Sequence, residues 1–198
     1  MKTIAIDIDN VLAASAEGLV AISNQLFGSH MTINDFGEDW SKMWGVDHKE
    51  AERRGEVLRE NKYQKDYLPV DGAARAINEL GKRYKLVLVT SRPKKVEELT
   101  RNWLKQYFSY PFDTIVFANF WDDPKNSKDG HLQHKGDLFT QVGADIVIDD
   151  QLKHCEAAAK AGVQAILFGD YAWNQTNELP DGIIRYKDWP EVLEELVR

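Results

Sequence analysis

Short apolar runs at residues 3–6, 85–89, 114–117, 145–148 and 164–168 punctuate the chain. None alternates strictly between apolar and polar positions, so each suits a strand covered on both faces. Helical periodicity fills most of the intervals. Asp71 is placed to cap a helix whose apolar face is Ala74, Ile77, Leu80 and Tyr84. Pro93 is placed to open another, with Val96, Leu99, Trp103 and Tyr107 on one side. A third, following Asp150, carries Leu152, Cys155 and Ala159 and is stopped by Gly162. Residues 189–197 read as a closing helix. Strands alternating with helices predict an α/β fold, a Rossmann-like and mostly parallel sheet flanked by helices.

The interval between the first two runs is too long for one crossover. Within it Leu19, Ile22 and Leu26 keep helical spacing, and Asp47 with Glu50 forms a candidate capping box. The expected division is an α/β core of residues 1–12 and 69–198 with a small helical cap at 13–68 inserted after the first strand, Pro69 marking the return. Phe36, Trp40 and Trp44 recur every four residues, sharing a face if that segment is helical. Such a stripe either packs a small core or offers rings to a nucleobase. Residues 119–133, with Pro124, Asn126, Ser127 and Gly130, read as a loop.

Composition narrows the partners. A net charge of −7 disfavours an extended nucleic-acid polymer but leaves room for a small phosphorylated ligand beside local cations. The single cysteine, Cys155, excludes an intrachain disulfide, fits a reducing compartment and is expected to be a buried small hydrophobe. No run reaches membrane-spanning length, and the N-terminus lacks the features of a secretory signal, so a cytoplasmic location is expected.

The chemistry gathers where apolar runs end. The first leads into Asp7-Ile8-Asp9-Asn10, the second into Thr90-Ser91 and the fourth into Asp149-Asp150. In a parallel sheet these ends share one edge, the edge at which open α/β sheets bind ligands. Carboxylates facing one another need a cation or a proton between them. Hard oxygen donors beside a phosphate suit Mg²⁺, with Asp7 and Asp149 as the preferred ligands. Taken singly, each aspartate could merely cap a helix. Their joint placement at strand ends favours a site. His131 and His134 could ligate a soft metal, but no thiol lies near them in the sequence.

These residues resemble the haloacid dehalogenase superfamily of phosphatases: Asp7-x-Asp9-x-Val11, Thr90-Ser91, Lys135 and Asp149-Asp150 stand in the order and strand contexts of its four motifs. Within it the chain is most similar to the 5′(3′)-deoxyribonucleotidases and their bacterial nucleotidase relatives. That narrower likeness rests on Asp7-Ile8-Asp9-Asn10-Val11-Leu12-Ala13, Thr90-Ser91-Arg92-Pro93, Ile148-Asp149-Asp150 and Trp173-Asn174. Asn10 stands where several relatives carry Gly, and Asn tolerates the left-handed backbone such a turn needs.

The resemblance implies a Mg²⁺-dependent phosphomonoester hydrolase with Asp7 as nucleophile and an aspartyl-phosphate intermediate, and Asp9 as acid and then base. Mg²⁺ would be held by Asp7, Asp149 and the backbone carbonyl of Asp9, with Asp150 behind them or capping the next helix. Asn10, Thr90, Ser91, Arg92 and Lys135 would contact phosphate or substrate. Arg92 could equally be a surface residue, and Lys128 competes with Lys135 for the lysine position. A nucleoside monophosphate leads as substrate, with another phosphate ester such as a sugar phosphate next. Rival readings are a phosphorylation-dependent signalling module of the receiver kind and a superfamily member that binds without turnover.

Overall fold

The first strand of the chain is the middle of the sheet. In the computed structural model, which describes residues 1–61, 63–112, 114–118 and 135–198, β1 (Thr3–Ile6) lies between β2 (Lys85–Thr90) and β4 (Ile146–Asp149). Outside these sit β3 (Ile115–Phe117) beside β2, and β5 (Gln164–Phe168) then β6 (Ile183–Tyr186) beyond β4. The order is β3-β2-β1-β4-β5-β6, with every pairing parallel. β6 is absent from the sequence reading because Ile-Ile-Arg-Tyr is short and half wet, as an edge strand can be. The loop expected at 119–133, with Lys128 and His131, and the adjoining His134 lie outside the described residues.

Alternate side chains of the strands enter opposite layers, which explains the unbroken apolar runs. Ile4, Ile6, Leu86, Leu88, Ile146, Ile148, Ile166 and Phe168 join one hydrophobic cluster; Ala5, Val87, Val89, Val147, Ala165 and Leu167 join the other. α4 (Ala73–Leu80), α5 (Glu97–Tyr107) and α8 (Trp189–Leu196) contribute to the first layer. α6 (Lys135–Gln141) and α7 (Leu152–Lys160) contribute to the second, where Cys155 is fully buried as a small hydrophobe.

Two helix starts differ from the expectation. Gly72, at φ 76°, occupies the N-cap of α4 in place of Asp71. Pro93 precedes a single 3-10 turn, Lys94–Val96, and α5 begins only at Glu97, so no α-helix N-terminus follows Thr90-Ser91 directly.

Between β1 and β2 the chain forms α1 (Ser15–Phe27), α2 (Trp40–Trp44) and α3 (His48–Asn61). It leaves and returns through adjacent segments: Ala13 bridges Pro69, Ala14 N donates to Leu68 O, and Val70 N donates to Leu12 O. Leu19, Met43, Trp44, Ala51 and Leu58 of this insertion share a hydrophobic cluster with Ile4 and Ile6, so its apolar face is continuous with the sheet's. The four-residue aromatic stripe is not one helix face. Asp39 caps α2 by accepting from Lys42 N, which leaves Phe36 in the preceding loop. Trp40 and Trp44 pack on each other with centroids 5.2 Å apart, and Trp44 also meets Phe27. Asp47 accepts from Glu50 N at 2.9 Å, while the Glu50 carboxylate turns to Arg53 and Arg54, so only half of the expected capping box forms.

Candidate active site

Parallel pairing of β1, β2 and β4 brings their polar ends to one edge, as the sequence pattern implied. Asp7 N donates to Ile148 O, so the residue after β1 still follows the ladder with β4. There Asp7, Asp149 and Asp150 each offer a carboxylate oxygen within 4.8 Å of the others, all three buried. Lys135, at the start of α6, inserts its ammonium among them, 2.9 Å from Asp7 Oδ1 and 2.6 Å from Asp149 Oδ2. Its side chain is 1% exposed. Asp149 also accepts from Gln151 N and faces His154 Nδ1, 3.1 and 3.2 Å from its two oxygens. Asp150 Oδ2 accepts from Asn10 Nδ2, Gln151 Nε2 and Trp173 Nε1.

The charges do not balance. Among the described residues, three carboxylates lie around one ammonium, and Asp7 Oδ1 meets that ammonium at 2.9 Å without a further polar partner. Burial, with the charges of Asp149 and Asp9, pushes the Asp7 carboxyl up to about 6 against the pull of Lys135. Burial and the charges of Asp149 and Asp7 raise Asp150 well above the ordinary carboxylate range. Burial opposes ionisation of Asp149 too, but Lys135 and His154 outweigh it and hold that group low. Burial would lower Lys135, yet Asp149 and Asp7 raise it, so it stays an ammonium. Buried carboxylates in excess over the ammonium beside them fit an oxygen-loving divalent cation. Among the described residues, Asp7, Asp149 and Asp150 are the side chains able to hold it.

Asp9 stands apart from this cluster. Its two oxygens accept from Arg92 Nη2 and Nε at 2.8 and 2.9 Å, while Arg92 Nη1 donates to Thr100 Oγ1. Burial pushes the Asp9 carboxyl up, but the guanidinium outweighs it and holds the group below its ordinary range. Arg92 is thus neither a surface residue nor an open phosphate clamp; it is buried, and its three nitrogens have protein partners. Thr90 is fully buried and its hydroxyl accepts from Arg92 N, while Ser91 beside it is half-buried.

Asn10 takes φ 59°, the left-handed conformation expected of it. Its side chain faces protein partners: Oδ1 accepts from Ser15 Oγ and Ala16 N, and Nδ2 donates to Asp150. It organises the turn, which is a different role from the substrate contact expected. The sequence reading missed His154 and overlooked what Trp173 touches. A histidine in the first turn after Asp149-Asp150 was the available signal for the former.

Residues 1–122 match the family described as 5′ nucleotidase, deoxy (pyrimidine), cytosolic type C, more than half of the 198 residues. The chain belongs to this family. It is a phosphatase, and its sheet and flanking helices share the fold of haloacid dehalogenase-like hydrolases. A curated relative from Halalkalibacterium halodurans, provisionally named nucleotidase BH1399, is 24% identical over 191 residues, 96% of this chain and 90% of its own. Among solved structures, the haloacid dehalogenase-like hydrolase SP0104 of Streptococcus pneumoniae superposes with TM-score 0.68 at 18% identity, over 98% of this chain and 97% of that one. A hydrolase of the same fold from Deinococcus radiodurans, solved with phosphate and sodium, gives 0.69 at 15% identity over 100% and 95%.

Proposed function

We propose that this family member hydrolyses a nucleoside monophosphate through a covalent phosphoryl group on Asp7, with Mg²⁺ as its cation. The observation that carries the reading is the Asp7 carboxylate: buried just past the central strand, with Oδ1 2.9 Å from the Lys135 ammonium and carboxylate oxygens of Asp149 and Asp150 within 4.8 Å. A carboxylate held beside an ammonium at the edge where strand ends converge suits attack on phosphorus.

Asp7 attacks phosphorus, the ester P–O bond breaks, and the leaving alkoxide takes a proton from Asp9. Water then attacks the phosphorus of the acyl phosphate and gives its proton back to Asp9, releasing inorganic phosphate and restoring Asp7. Paired with Arg92, Asp9 is set to accept that proton; donating one requires the fork to open. Lys135 neutralises charge on Asp7 and on the phosphoryl oxygens beside it. Thr90 and Ser91, at the end of β2, would offer hydrogen bonds to the phosphate. Asp7, Asp149 and Asp150 would hold the cation, which would supply charge neutralisation and alignment. By family resemblance the Asp9 carbonyl completes that set.

Residues 13–68 act in this reading as a cap that excludes water and selects the leaving group. The family description favours a pyrimidine deoxynucleotide and a cytosolic setting; no helix among the described residues is long and apolar enough to cross a membrane. The test is a Mg²⁺-supplemented comparison of deoxynucleoside, ribonucleoside and sugar phosphates, with Asp7→Asn as control. A deoxynucleoside monophosphate should give the highest kcat/KM, and Asp7→Asn should lose at least about a thousandfold. A preference for sugar phosphates would replace the substrate class, whereas an active Asp7→Asn protein would remove the nucleophile.

A further inference from the structure

Trp173 touches both the acidic cluster and the insertion. It sits in a 3-10 turn, Ala172–Asn174, beyond β5. Its indole N–H donates to Asp150 Oδ2 at 2.7 Å. One face stacks on Tyr171, with centroids 4.4 Å apart and planes 6° from parallel. Phe36 of the insertion meets the indole at 61°, with centroids 4.8 Å apart.

The turn that carries Trp173 is itself anchored. Tyr171 OH donates to Asn10 O, Asn174 Nδ2 donates to Asp150 O and Phe168 O, and Arg185 donates to Asn174 Oδ1 and O. Two residues beyond Phe36, Glu38 pairs with Lys153 of α7 at 2.6 Å, immediately before the His154 that faces Asp149. The loop at 33–39 therefore meets the α/β core at residues that hold, or adjoin those that hold, Asp149 and Asp150.

We propose that Trp173 is a positioning residue coupling the seating of this loop to cation binding. The inference rests on reading Asp7, Asp149 and Asp150 as the cation site. Donors behind a ligand set its orientation and hence the metal's affinity. The indole can hold Asp150 in one orientation only while its ring is fixed, and Tyr171 and Phe36 fix it from two sides. Coupling of this kind is reciprocal: a seated loop tightens the cation, and the cation holds the loop down. Cation loading and closure of the insertion then reinforce each other, and lifting the loop to release product loosens the cation in the same motion.

The experiment measures Mg²⁺ alone binding to the full chain by calorimetry, and hydrogen exchange of residues 33–39 with and without Mg²⁺. Trp173→Phe keeps a ring for Tyr171 and Phe36 but loses the donor; roughly tenfold weaker binding is expected. Phe36→Ala touches no member of the acidic cluster and should weaken Mg²⁺ about fivefold, with the double variant no weaker than Trp173→Phe alone. Mg²⁺ should slow exchange at 33–39 in the wild type and not in Trp173→Phe.

Should Phe36→Ala fail to fold, Glu38→Lys, which sets two cations face to face, should weaken Mg²⁺, and Glu38→Lys with Lys153→Glu should restore it. Wild-type affinity in Phe36→Ala, a charge swap that restores nothing, or Mg²⁺ protection of the loop that persists in Trp173→Phe would overturn the coupling. A wild-type protein without saturable Mg²⁺ binding would instead remove the cation site beneath it.

Discussion

Two buried charged assemblies lie at the same sheet edge and are built on opposite plans. Around Asp9, one guanidinium meets one carboxylate in a two-bond fork, with Thr100 taking a further donor. Charge and hydrogen bonds are close to balanced. Around Asp7, among the described residues, three carboxylates cluster and one ammonium pairs with two of them. Facing carboxylates need a cation or a proton between them. The contrast separates a part of the site whose charges pair within the protein from a part with carboxylate charge in excess, and each half predicts a different response to mutation.

The largest effect should come from Lys135→Met. The ammonium is 1% exposed and its partners Asp7 and Asp149 are 7% and 0% exposed, so neither carboxylate can recover water when it goes. Breaking such a buried pair costs about 3–5 kcal/mol. Urea denaturation with chelator present should show that loss, and saturating Mg²⁺ should recover part of it. A loss below about 1 kcal/mol would mean that the cluster hydrates on its own and that the imbalance is only apparent.

Asp7→Asn should act in the opposite direction on stability. The Asp7 carboxyl is held up at about 6 in the folded protein against 3.8 as its ordinary value. Between pH 4 and 6 the folded state therefore binds its proton more tightly than the unfolded chain does, and the stability this gives fades as pH rises through that window. Asp149, held low, gives stability of the opposite sign that is already complete above pH 4. In the cation-free wild type, stability should fall by on the order of 1–3 kcal/mol from pH 4 to 7 on account of Asp7, with Asp150 adding to the slope. Asp7→Asn should flatten the curve, and so should saturating Mg²⁺ in the wild type. A mutant as steep as its parent would show that the strain lies elsewhere.

Arg92→Met tests the balanced half. The arginine side chain is 3% exposed, but Asp9 is 34% exposed and can take up water once its partner is gone. The cost should be about 1–2 kcal/mol, less than for Lys135. Inhibition by inorganic phosphate should stay within about twofold of wild type, since the three Arg92 nitrogens are already engaged by protein. A tenfold weaker inhibition constant would return Arg92 to the phosphate-clamp role that the sequence suggested.

The pairing of Arg92 with Asp9 shows where sequence reading stops. Polar residues at the ends of apolar runs mark positions along a sheet edge, because parallel strands keep their ends in register, so Asp7, Thr90 and Asp149 could be brought together without coordinates. Lys135 was legible through motif order. The partner of a side chain in that crowd was not: Asp9 and Arg92 are 83 residues apart, and their pairing depends on how α5 and the 3-10 turn before it sit. β6 escaped because its short, half-wet sequence resembles a turn. The aromatic stripe misled because period four was counted across Gly37 and Asp39, a breaker and a cap, which together place the helix start at Trp40.

The smallest effect joins the two halves. Asn10 stands between them in the chain, with its carbonyl bound by Tyr171 OH and its amide reaching Asp150 at 3.2 Å. Asn10→Gly keeps the left-handed φ of 59° without strain but gives up the bonds to Ser15, Ala16 and Asp150. Asp150 keeps Gln151 and Trp173 as donors, so the net loss should be about 1 kcal/mol, with Mg²⁺ affinity changed by no more than about threefold. Asn10→Ala loses the same bonds and also places a Cβ in left-handed backbone, adding about 1 kcal/mol more. If Ala and Gly prove equal, backbone strain is not what selects the residue, and its side-chain bonds alone explain why a turn that glycine could make carries asparagine here.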